Sequence, residues 1–108
     1  MEIRNLVKRA GETARKKGFH DEPRSFGDII ALIHSEASEA LEADRENLAK
    51  NEIYFTESWK AYGIPIEMAD ILIRVFDVCW FYGIDLEEAL SIKMGENEQR
   101  GYKHGKEY

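Results

Sequence analysis

Apolar residues recur along the chain in blocks with helical spacing, separated by glycine, proline and capping residues. Ile3, Leu6, Val7, Ala10 and Ala14 form the first stripe, the pattern of a helix with one buried face. Gly18 follows Arg15, Lys16 and Lys17, a stop signal with cations where the helix dipole favours them. A first helix over 1–18 is expected. The segment FHDEPR, Phe19 to Arg24, is rich in turn formers. Ser25, three residues before Asp28, resembles a capping box and opens a second helix over 25–48, with Phe26, Ile29, Ile30, Ile33, Ala37, Ala40 and Leu41 on its apolar stripe.

Between Ala49 and Gly63 the stretch AKNEIYFTESWKAYG mixes aromatics with charges and loses periodicity. A long connection with at most a short helical turn is expected there, and no segment of the chain carries a β-hairpin signal. Connections of this length in compact domains are often functional. Pro65 near a first helical position and Gly83 at the end frame a third helix over 65–82. Asp85 with Glu88 opens a fourth over 86–100, and GYKHGKEY follows as a polar tail over 101–108. The pattern predicts one all-α domain over 1–108, a bundle of about four main helices.

The third helix, IEMADILIRVFDVCWFY, is apolar almost all the way round, yet it carries Glu67, Asp70, Arg74 and Asp77. At about 100° per residue these four charges fall inside a stripe only about 80° wide. An ordinary surface helix has a broader polar face. The expectation is a mostly buried helix whose narrow charged seam meets water, a partner charge or a metal.

Composition narrows the partners. The 108 residues suit a single domain, and 15 Lys and Arg against 21 Asp and Glu give a net charge of -6. That balance disfavours non-specific binding to a nucleic-acid polymer or an anionic membrane. The single cysteine, Cys79, makes neither an internal disulfide nor a zinc cluster and reads as a small buried hydrophobe in a reduced compartment. MEIRNLVKRAGETARKKG lacks the apolar core of a secretory signal, and no apolar run approaches the ~20 residues of a bilayer crossing. A soluble, cytoplasmic protein is expected.

The carboxylates carry the chemistry. Glu36 and Glu39 lie one turn apart on the second helix, and Glu67 and Asp70 lie one turn apart on the third. Ala37, Ala40 and Ala43 keep the surface beside the first pair small, so another helix can approach. Four facing carboxylates repel one another unless a cation sits among them. Oxygen donors alone favour Mg²⁺, with Mn²⁺ as the alternative, over zinc. A di-iron bundle uses Glu-x-x-His pairs, and His20, His34 and His104 all lack a Glu three residues before them. On the fourth helix the stripe of Leu86, Ala89 and Leu90 gives way on the same side to Lys93, Asn97 and Arg100. With Arg74, such a group suits phosphate oxygens opposite a metal.

Glu36-x-x-Glu39, then Glu67-x-x-Asp70, then Lys93-x-x-x-Asn97-x-x-Arg100 resembles the MazG-like nucleotide pyrophosphohydrolases of the all-α NTP pyrophosphatase superfamily, over roughly Phe26 to Gly105. The resemblance implies Mg²⁺-dependent hydrolysis of a nucleoside triphosphate to the monophosphate and pyrophosphate. Glu36, Glu39, Glu67 and Asp70 would hold the metal, and Glu36 or Glu39 would take the proton of the attacking water. Arg74, Lys93, Asn97 and Arg100 would contact substrate. The long connection between the carboxylate pairs departs from the family pattern and, with Tyr54, Phe55, Trp59 and Tyr62, is a candidate base-stacking or lid segment; the tail reads as a flexible one, with His104 or Lys106 as candidates to fold over bound phosphates.

Each feature also has a structural reading. Glu-x-x-Glu is common on solvated helices, and Lys93, Asn97 and Arg100 read equally as an exposed helix end. Asp77 suits an ion pair with a neighbouring helix or with Arg74. The basic residues of the first helix, interleaved with Glu2 and Glu12, read as a solvated face. The alternative function is a non-enzymatic helical oligomerisation or protein-binding module with a structural or regulatory metal site. On either reading, so apolar a helix in so short a chain implies a homodimer or homotetramer.

Overall fold

The computed structural model describes residues 2–102. They form α1 (Ile3–Lys16), α2 (Phe26–Arg45), a small sheet of β1 (Tyr54–Phe55) and β2 (Ala61–Tyr62), α3 (Ile64–Tyr82) and α4 (Leu86–Gln99). The architecture is an all-α bundle of four helices. None of the described helices is long and apolar enough to cross a membrane.

The helix ends follow from local chemistry. The Ser25 hydroxyl accepts the Asp28 N–H at 3.0 Å, and the Asp85 carboxylate accepts the Glu88 N–H at 3.2 Å. Each satisfies an amide that the first helical turn leaves without a partner. Gly83 closes α3 in the left-handed region at φ 67°, where Ile84 N–H returns to the Cys79 carbonyl at 2.8 Å, the glycine-dependent close of a helix. Arg4 forks onto Asp85 and also pairs with Glu87, which ties the start of α1 to the start of α4.

α2 and α3 run antiparallel: Phe26 meets Tyr82 edge to face at 5.6 Å, and Glu36 meets Arg74 farther along the pair. α1 lies over the C-terminal half of α3, where Gly11 seats Trp80. A Cβ at Gly11 would stand 2.2 Å from the indole, so the approach requires glycine. Val7, Phe76, Val78 and Cys79 form the core, with Ile3, Leu6, Ala10, Ile29, Ile33 and Leu86 packed around them.

Two expectations need correction. The connection after α2 contains a β-hairpin, with Tyr54 opposite Tyr62 and Phe55 opposite Ala61. Its strands are too short to show alternation, and its turn has no Asn-Gly or Asp-Gly pair. The turn is instead built by Thr56, which receives Lys60 N–H on its hydroxyl and donates its own N–H to the Lys60 carbonyl, while Trp59 takes φ 64°. The second correction concerns α3, which is not mostly buried within one chain. Past the reach of α1, Met68 and Leu72 remain 45% and 53% exposed.

Candidate metal centre

The antiparallel pairing of α2 and α3 puts Glu36 level with Asp70 and Arg74, one turn from Glu67. Glu36, Glu67 and Asp70, all half-buried, each place a carboxylate oxygen within 4.8 Å of the other two. Arg74 Nε donates to Glu36 Oε1 at 2.9 Å. One guanidinium faces three carboxylates, so the cluster keeps an excess of negative charge.

That excess appears in the proton affinities. Partial burial, then the charges of Asp70, Glu39 and Glu36, push the Glu67 carboxyl above its ordinary value. Burial and Glu36 push Asp70 up as well, with Arg74 opposing them. Groups held this way gain from a cation placed between them. The donor set, oxygen only and carboxylate-rich, fits a hard divalent ion such as Mg²⁺.

Glu39 stands outside the three-oxygen group and is exposed, although its charge reaches Glu67. Arg74 is engaged by Glu36 rather than held ready for a ligand. Lys93 and Asn97 lie on α4 and Arg100 just past its end; α4 packs on α1 and not on the cluster, and Lys93 faces Glu96 at 3.7 Å. Tyr54 and Tyr62 stack on each other at 5.4 Å across the hairpin. His104 and Lys106 lie outside the described residues.

A cleft of about 620 Å³ opens from the cluster along α1, α2 and α3, with Glu36, Asp70 and Arg74 in its wall. This volume suits a small organic ligand. Its walls combine apolar side chains, among them Leu32, Ile73 and Phe81, with the cations Arg9, Lys17 and Arg24. At the far side His20 Nε2 lies 2.8 Å from Asp77 Oδ1, and its ring packs on Trp80 and Phe81 at 5.5 and 5.0 Å. Asp77 thus pairs with the α1–α2 connection and not with Arg74. Sequence reasoning missed His20 as a site residue. It sits in an aperiodic turn, and the one available signal was an unassigned acid, Asp77, on the charged stripe of α3.

Comparison with protein-family models, curated proteins and solved structures gives no significant match.

Proposed function

We propose that this protein is a Mg²⁺-dependent nucleoside triphosphate pyrophosphohydrolase, releasing the monophosphate and pyrophosphate. The observation that carries the reading is the position of Glu36, Glu67 and Asp70: an under-neutralised carboxylate cluster, two of whose members, Glu36 and Asp70, stand in the wall of a cleft of about 620 Å³ whose other walls supply cations and apolar surface. The sequence resemblance to MazG-like enzymes supports the same reaction.

In this reading Glu36, Glu67 and Asp70 hold the ion, which when bound neutralises phosphate oxygens and acidifies a water. Arg74 fixes Glu36 through the hydrogen bond from its Nε. Glu39, close enough to repel Glu67 yet outside the three-oxygen group, is the carboxylate placed to accept the water's proton. Arg9, Lys17 and Arg24 offset the charge of the phosphates, and the apolar walls near His20 and Phe81 receive the base and sugar. The water oxygen would bond to phosphorus at the α–β anhydride as that P–O–P linkage breaks, leaving the nucleoside monophosphate and pyrophosphate, and the water's proton would pass through Glu39 to solvent.

Calorimetric titration tests this directly. Mg²⁺ and a non-hydrolysable nucleoside triphosphate should each tighten the binding of the other, as linkage requires when both occupy one site. Metal binding with no nucleotide binding would favour the interaction module instead.

A further inference from the structure

Among the described residues, Arg74 is the one cation that an ion pair places on the carboxylate cluster. Arg4, Arg45, Lys50 and Lys93 are paired elsewhere, with Asp85, Glu42, Asp44 and Glu96. Arg74 Nε donates to Glu36 Oε1 at 2.9 Å, and its charge opposes the rise that burial and Glu36 impose on the Asp70 carboxyl. One guanidinium thus serves two of the three carboxylates whose oxygens converge.

The same geometry sets Arg74 against a metal ion. Mg²⁺ bonds its oxygens at about 2.1 Å. Held by either oxygen of Glu36, the ion would stand no more than about 7 Å from the Arg74 Nε. The pair is partly shielded from solvent, so repulsion between a double and a single positive charge over that span is not screened as it is on an open surface. A neutral hydrogen-bond donor in place of the guanidinium would exert no such repulsion.

We propose that Arg74 is a stand-in for the metal: it neutralises Glu36 and Asp70 in the metal-free protein and gives up Glu36 when a divalent ion enters. Arg74 also stands in the wall of the cleft with Arg9, Lys17 and Arg24. The displaced guanidinium therefore joins the cations that face an anionic ligand there, a route by which metal and ligand tighten each other's binding. The proposal rests on the metal-centre reading given above and adds its regulation. It does not depend on which bond of an anionic ligand is broken.

Calorimetric titration of the full chain with Mg²⁺ alone tests it, on wild type, Arg74→Gln and Arg74→Lys, each checked for helical content by circular dichroism. Arg74→Gln keeps a donor and loses the charge, and should bind Mg²⁺ about tenfold more tightly than wild type, within the usual range for coupled equilibria. Arg74→Lys keeps the charge and should bind more weakly than Arg74→Gln. As a second readout, the NMR signal of the Arg74 Nε–H, identified by its loss in Arg74→Lys, should shift on addition of Mg²⁺ and exchange faster with water. An Arg74→Gln variant that binds Mg²⁺ no more tightly than wild type, or an Nε–H signal unchanged at saturating Mg²⁺, would overturn the exchange and leave the metal centre standing. Absence of Mg²⁺ binding by wild type and both variants would overturn the metal centre itself, and this proposal with it.

Discussion

Arg74 Nε donates to Glu36 Oε1 at 2.9 Å, and this bond ties α3 to α2 at the level of Asp70. The guanidinium both positions a candidate metal ligand and offsets part of the cluster's charge. With the side chains 35% and 18% exposed, the pair is partly shielded from solvent. Arg74→Gln is expected to destabilise the metal-free protein by on the order of 1 kcal/mol. Urea unfolding should show a lower midpoint with an unchanged slope, and saturating Mg²⁺ should narrow the gap from wild type.

The cluster also sets a pH dependence. Glu67 and Asp70 have carboxyl groups raised in the folded state by burial and by their acidic neighbours. The folded state therefore binds more protons than the unfolded one above the ordinary carboxylate range, so these groups make stability fall as pH rises from that range through their raised folded values. Metal-free protein should gain from Asp70→Asn at neutral pH, by a few degrees in Tm, and less at pH near 4. Mg²⁺ should raise the wild-type Tm at neutral pH and fail to raise that of Asp70→Asn. Calorimetric scans with and without chelator distinguish these outcomes.

Gly11 is the tightest point of the α1–α3 contact. A methyl group there would meet the Trp80 ring at 2.2 Å, and neither helix can yield without disturbing Val7 or Phe76 in the core. Gly11→Ala is expected to cost about 1–3 kcal/mol through overpacking, despite the better helix propensity of alanine. Chemical denaturation gives the size of the effect. A neutral or stabilising result would contradict the packing described.

His20 and Asp77 face the cleft away from the carboxylate cluster. Removing their 2.8 Å hydrogen bond with His20→Ala should weaken nucleotide binding about five- to tenfold, roughly 1 kcal/mol. The affinity for Mg²⁺ alone should stay the same. Parallel titrations with metal and with nucleotide separate the two effects.

The helices were legible because their signals are local. The stripe Ile3, Leu6, Val7 and Ala10 and the caps at Ser25 and Asp85 depend on neighbours within two turns, and each element formed within three residues of its expected bounds. The charged seam of α3 was legible as a stripe, and all four of its members meet α2 or the α1–α2 connection. The partners within it were not, because Arg74 with Glu36 and Asp77 with His20 are set by tertiary register. The hairpin was hidden because two-residue strands have no period and Thr56 and Trp59 are unusual turn formers. Lys93, Asn97 and Arg100 read as neighbours of the cluster in sequence order, yet within one chain the path of α4 along α1 carries them elsewhere.

The most direct test of the central claim is pyrophosphate release from a panel of canonical, deoxy and damaged nucleoside triphosphates with Mg²⁺, using wild type, Glu36→Gln, Glu39→Gln and Asp70→Asn. Release from at least one of them by wild type is expected. Chelator should abolish it, and each variant should lower it by about 100-fold or more. No release from any of them by folded, metal-bound protein, or release indifferent to Asp70→Asn, would contradict the assignment.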